Sequence, residues 1–114
     1  MRKIDFDDLI AYLTSNMIDL LSLEQEKKYY KKVLLYSDIL HGTYDMMYFY
    51  KTKSASNKYI YFSYMQTIPM IQNKKNYPFN KYKFYVYDDE KECKKYGKFF
   101  KNSIITDIEK FRNE

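Results

Sequence analysis

From Tyr44 onward the apolar residues recur at every second position, whereas before it they recur every three or four. This switch of period constrains the fold more than any other feature of the chain. A period of two belongs to a half-buried strand and one of 3.6 to an amphipathic helix. Tyr44 to Lys51 and Lys58 to Gln66 read as two aromatic-rich strands joined by Thr52-Lys53-Ser54-Ala55-Ser56-Asn57, a hairpin connection. Lys81 to Asp88 alternates again as a third strand, after a long loop from Ile68 to Asn80 that contains Pro69 and Pro78.

On the N-terminal side, Phe6, Leu9, Ile10, Leu13, Met17, Leu20 and Leu21 keep the helical period, with Asp5 as N-cap. Ser22 and Gln25 form a capping-box pattern that opens a second helix. That helix turns Tyr30, Val33, Leu34 and Leu40 inward and ends at His41-Gly42. Asp88-Asp89 cap a C-terminal helix carrying Cys93, Tyr96, Phe100, Ile104, Ile108 and Phe111, with a break near Asn102-Ser103. The expected architecture is one α+β domain over residues 1–114. It is a three-stranded antiparallel sheet packed with two N-terminal helices and a C-terminal helix, in the order α-α-β-β-β-α.

Charge is distributed unevenly. Between Met46 and Tyr87 there is no acidic residue, but there are seven lysines: Lys51, Lys53, Lys58, Lys74, Lys75, Lys81 and Lys83. Residues 1–45 sum to −2 and residues 88–114 to zero, so this middle segment (+7) supplies the whole net charge of +5. Alternation places Met47, Phe49, Ile60, Phe62, Tyr64, Tyr82, Phe84 and Val86 on one apolar face. The other face then carries Tyr48, Tyr50, Tyr59, Tyr61, Lys83, Tyr85 and Tyr87. Tyrosine joins a flat apolar body to a polar tip, which suits a surface that stays wet until a partner arrives. The expected partner-binding residues are therefore these tyrosines with Lys51, Lys53, Lys58, Lys81 and Lys83, together with Lys74, Lys75 and Tyr77 from the long loop. The competing reading is structural: cross-strand tyrosines also stabilise a sheet beneath a covering helix.

Catalytic patterns are weak. His41 is the only histidine and sits beside a glycine, where a helix cap is the usual role. Cys93 falls on an apolar helical face. The two glycines, Gly42 and Gly97, form no phosphate loop, and no metal-ligand cluster is present in the sequence. Asp88-Asp89-Glu90 with Glu92 and Lys94 shares letters with metal-dependent nucleases, but acids at a helix start need no catalytic explanation. Arg2 and Arg112 lie at the extremes of the chain, poor places for the transition-state clamp of a ribonuclease toxin. No cofactor, metal or enzymatic activity is expected.

No apolar run reaches the roughly 18 residues that span a bilayer. Met1-Arg2-Lys3-Ile4-Asp5 lacks the apolar core of a signal peptide, and a single cysteine excludes an internal disulfide. A cytoplasmic, membrane-free protein is expected. With 15 Tyr but two each of Gly, Pro, Ala and Val, the coding sequence reads as AT-rich, as in low-GC bacteria, their phages or large DNA viruses.

The leading functional expectation is a stoichiometric inhibitor from a phage or mobile element. It would dock a basic, tyrosine-rich surface on an acidic protein surface or nucleoprotein complex of the host, as proteins that block CRISPR or restriction machinery do. The alternatives are direct binding of single-stranded DNA or RNA by tyrosine stacking and lysine–phosphate contacts, and the ribonuclease toxin.

Overall fold

The computed structural model describes residues 1–70 and 81–102. The elements run β1 (Arg2–Ile4), α1 (Phe6–Ser15), α2 (Leu20–Gln25), β2 (Lys31–Asp38), β3 (Thr43–Lys53), β4 (Tyr59–Pro69), β5 (Lys81–Tyr87) and α3 (Glu90–Asn102). The described strands form one antiparallel sheet in the order β1-β5-β4-β3-β2. The class remains mixed α+β, but the sheet has five described strands rather than the expected three.

Two strands account for the difference. β1 is only three residues long, too short for a periodic signal, and it pairs Arg2, Lys3 and Ile4 with Val86, Tyr85 and Phe84. β2 takes the place of the expected second helix. Val33, Leu34 and Leu35 are consecutive apolar residues that satisfy either period. A bulge between Leu34 and Tyr36 further blurs the strand. His41-Gly42 consequently lies in the turn between β2 and β3, with Gly42 at φ 65°, and not at a helix end.

Both helices of the N-terminal pair end without glycine. Met17, at φ 59°, follows α1; the Ile18 N–H bonds back to Leu13 O at 2.9 Å and the Met17 N–H to Thr14 O at 3.0 Å. Lys27, at φ 53°, follows α2 in the same way, with Lys28 N–H to Leu23 O at 2.9 Å and Lys27 N–H to Glu24 O at 3.1 Å. This left-handed helix stop normally carries glycine, because a side chain there is strained. Met17 is 83% exposed, so its side chain recovers little by packing. Met17→Gly should therefore stabilise the fold by about 0.5–1 kcal/mol, read as a higher melting midpoint. A lowered midpoint would show that the methionine contributes more than its exposure implies.

Two of the three expected helix starts hold. Asp5 accepts from Asp8 N at 2.8 Å at the head of α1, and Asp89 accepts from Glu92 N at 2.8 Å at the head of α3. Asp19, and not Ser22, caps α2, accepting from Leu21 N at 3.1 Å. The β3–β4 turn closes through Ser54 N to Lys58 O at 2.7 Å. Of the loop expected from Ile68 to Asn80, Ile68 and Pro69 belong instead to β4, and residues 71–80 lie outside the described residues. Asn102 is still part of α3, while Ser103 and the residues Ile104, Ile108 and Phe111 lie outside the described residues.

Helices cover both faces of the sheet. Leu9, Leu13, Ile18 and Leu20 from α1, α2 and their link pack on Tyr50, Ile60, Phe62, Tyr64, Phe84 and Val86. On the other face Cys93 of α3 packs with Val33, Leu35, Met47, Phe49, Tyr61, Met65, Tyr85 and Tyr87. Alternate residues of each central strand thus enter different cores.

The register corrects the expected faces. Tyr48 pairs with Tyr64 and Tyr50 with Phe62, so these tyrosines share a face with Ile60 and Phe62, while Met47 and Phe49 point the other way. An offset of one residue between paired strands moves every side chain to the opposite face. Tyr82 also leaves the face of Phe84 and Val86. A bulge opposite Ser63 and Met65 inserts an extra residue in β5, where Lys83 takes φ 51°.

Candidate interaction surface

The tyrosine platform expected from alternation is not assembled. Tyr50, Tyr61, Tyr85, Tyr87 and Lys83 are all buried, because α1 and α2 cover one face and α3 the other. Tyr87 bonds Ser63 through its hydroxyl at 2.6 Å, as an interior phenol must. Lys51 pairs with Glu90 of α3 at 3.3 Å and lies 4.6 Å from the Tyr59 ring centre. Lys81 pairs with Glu24 of α2 at 2.7 Å. Lys53, Lys58 and Tyr59 are exposed at the β3–β4 turn. Lys74, Lys75 and Tyr77 lie outside the described residues. Tyr48 is the one ring of the expected platform that is half-exposed on the α1–α2 side of the sheet.

That side is only partly roofed. α2 stops at Gln25 and the chain returns through Lys27 and Tyr29 to β2, so the strip of β3 and β4 beyond Tyr48 is left half-exposed. The strip consists of Tyr44 beside Ile68, Met46 beside Gln66, and Tyr48, whose cross-strand neighbour Tyr64 is buried at the inner edge. A hollow of about 360 Å³ lies over it, walled by Glu24, Lys27 and Tyr29. A larger hollow of about 620 Å³, mostly apolar, lies between α1 and α2, and Glu24 with its partner Lys81 stands between the two.

Behind the smaller hollow runs a chain of polar contacts. The Lys81 ammonium donates to Glu24 Oε1 at 2.8 Å, the Tyr64 hydroxyl donates to Glu24 Oε2 at 3.1 Å, and Tyr64 shares a hydrogen bond with the Tyr50 hydroxyl at 2.9 Å. Burial, reinforced by the Tyr44 and Tyr29 phenols, pushes Tyr48 up to about 12. Burial likewise pushes Tyr50 up to about 12, against the opposing pull of its bond with Tyr64. Tyr64 is raised further still, first by burial and then by Tyr50 and the Glu24 carboxylate.

These raised values fix the sign of an alkaline effect. An unfolded phenol ionises near about 10, while the folded chain holds these protons to higher pH. Stability is therefore intact below about pH 10 and is lost as pH rises from there through about 12. Urea midpoints should be level up to about pH 9 and fall steeply by about pH 11. Midpoints that stay level through that window would contradict the burial of this network.

At the same end of the sheet, the β2–β3 turn is locked from within. Asp38 accepts from the His41 N–H at 3.2 Å and pairs with His41 Nδ1 at 2.7 Å, and Met70 N donates to Gly42 O at 2.8 Å. This lock holds Ile39 and Leu40 out in solvent, 83% and 96% exposed. Sequence reasoning missed this tip because Leu40 matched the inward stripe of a helix. Tyr29 was missed because it fell in the expected second helix; Tyr44 was legible, since alternation puts it on the same face as Tyr48 and Tyr50, but it was left out at the start of its strand. His41 acts as a turn brace, and Cys93 is a buried residue whose thiol is pushed up by burial and shares a 2.8 Å contact with the Tyr30 hydroxyl.

Among the described residues no three His, Cys, Asp or Glu side chains are grouped to hold a metal ion. No described helix is long and apolar enough to cross a membrane. No family model, curated protein or solved structure matches this chain.

Proposed function

We propose that this chain is a non-enzymatic binding protein that docks its β2–β3 tip into an apolar recess of an acidic, nucleic-acid-handling complex and blocks that complex stoichiometrically. The observation that carries this reading is the exposure of Ile39 and Leu40, held apart from the core by a turn that braces itself. Two adjacent aliphatic side chains left in water gain roughly 1.5–3 kcal/mol each when a partner buries them. A rigid tip also loses little conformational freedom on binding, which favours affinity.

Charge supports the choice of partner. The net +5 and the exposed Lys53 and Lys58 favour approach to an acidic surface, raising the association rate more than the final affinity. An inhibitor of CRISPR-like or restriction machinery has these needs: a small basic body, one firm anchor and no chemistry of its own.

The test is capture of partners from a host lysate on the tagged protein, with and without nuclease. A stoichiometric protein partner that survives nuclease, and whose activity falls in proportion to added protein, is expected. Proteins that are all lost with the nucleic acid would sink this reading.

A further inference from the structure

The smaller hollow has a chemistry distinct from the aliphatic tip. Its floor is the exposed part of the β3–β4 strip, where Tyr44 and Tyr48 lie four residues apart on one face, about 13 Å along the strand. Tyr29 leans on Tyr48 with ring centres 5.0 Å apart and holds that ring in place. Gln66 adds an amide, which both donates and accepts. Glu24 is engaged by Lys81 and Tyr64, so its carboxylate is already neutralised at the back of the site. Lys27 stands on the wall, and the Lys32 ammonium lies 5.8 Å from the Tyr29 ring centre. One carboxylate is thus set against three ammonium groups.

Flat phenolic surface, an amide and a cationic rim together suit a planar heterocycle that carries an anion. We propose that this hollow binds a single nucleotide, free or as one unit of a single strand. Its base lies against Tyr48, its edge meets Gln66, and its phosphate meets Lys27 and Lys32. Its volume of about 360 Å³ is at the small end of ligand sites, roughly 300–1,000 Å³, and fits one nucleotide better than a run of them. Stacking of a base on an aromatic ring tolerates any base, so discrimination among bases falls to Gln66. The inference does not depend on the docking function, because the tip and the hollow have no residue in common.

Fluorescence anisotropy of short fluorescein-labelled oligo-dT and oligo-U, with UMP and inorganic phosphate as competitors, tests it. Saturable binding is expected, weakened about tenfold by Tyr48→Ala and retained by Tyr48→Phe, which keeps the ring. Lys27→Gly removes one charge at a backbone position that favours glycine, and should lower the salt slope by about one. Competition by UMP shows that the site takes a free nucleotide; saturable binding without such competition shows that it takes a strand unit. Phosphate competing as well as UMP would mean that no base is bound, and would overturn the proposal. So would absence of saturable binding, or equal binding by the Tyr48→Ala, Tyr44→Ala and Lys27→Gly proteins. The protein with Ile39→Asp and Leu40→Asp should bind these oligonucleotides like the native chain, so failure of the docking function leaves a separate signature.

Discussion

Replacing Ile39 and Leu40 together by aspartate should abolish partner capture, weakening the complex at least a hundredfold, while the melting curve stays in place. The size follows from burial: two aliphatic anchors contribute roughly 3–6 kcal/mol together, and about 1.4 kcal/mol corresponds to a tenfold change in affinity. Placing carboxylates in an apolar recess adds a desolvation cost on top. Folding should be indifferent, because side chains 83% and 96% exposed contribute almost no burial and surface changes generally stay within about 0.5 kcal/mol. The bracing pair Asp38–His41 and the backbone of Gly42 are untouched by the substitution. Titration calorimetry against the captured partner, beside thermal melts of both proteins, separates the two quantities. Undiminished affinity would remove the tip from the interface.

The second large effect concerns the fold itself. Phe62→Ala should destabilise the protein by about 3–5 kcal/mol, a large share of the 5–15 kcal/mol typical of a domain. Phe62 is fully buried in the α1–α2 core, and Tyr50 stacks on it with ring centres 4.9 Å apart and planes within 9°. Removing the ring opens a cavity and takes away the surface that positions Tyr50, whose hydroxyl meets Tyr64 and through it Glu24. Chemical denaturation should show a much lower midpoint with a similar slope. A loss below about 1 kcal/mol would mean that the neighbours collapse into the space.

The strands from Tyr44 onward were legible because the period-two signal there is long and rich in aromatics, and the caps Asp5 and Asp89 were legible because short acids at helix starts have a local cause. β2 was not, because its three consecutive apolar residues suit either period. The preceding helix also stops at Lys27 where a reader expects glycine. The face of each tyrosine was not legible either. It depends on the pairing offset between β3 and β4 and on the extra residue at Lys83, and both are tertiary facts. Alternation shows that two faces exist; it does not show that each lies beneath a helix. The tip at Ile39 and Leu40 was hidden by the same misreading of β2 as helix, since an exposed leucine leaves no pattern in composition.

The absence of acids between Met46 and Tyr87 has a meaning beyond binding. In the folded chain two lysines of this segment meet carboxylates brought by the helices, Lys51 at Glu90 of α3 and Lys81 at Glu24 of α2. While the chain is newly made or transiently open, the aromatic stretch from Met46 to Tyr87 therefore carries charge of one sign only. Segments of high β-propensity aggregate by stacking on copies of themselves, and uniform charge opposes that stacking at every register. The lysines thus serve as gatekeepers: they admit the helices that bring Glu24 and Glu90, and they repel the same sheet in a neighbouring molecule.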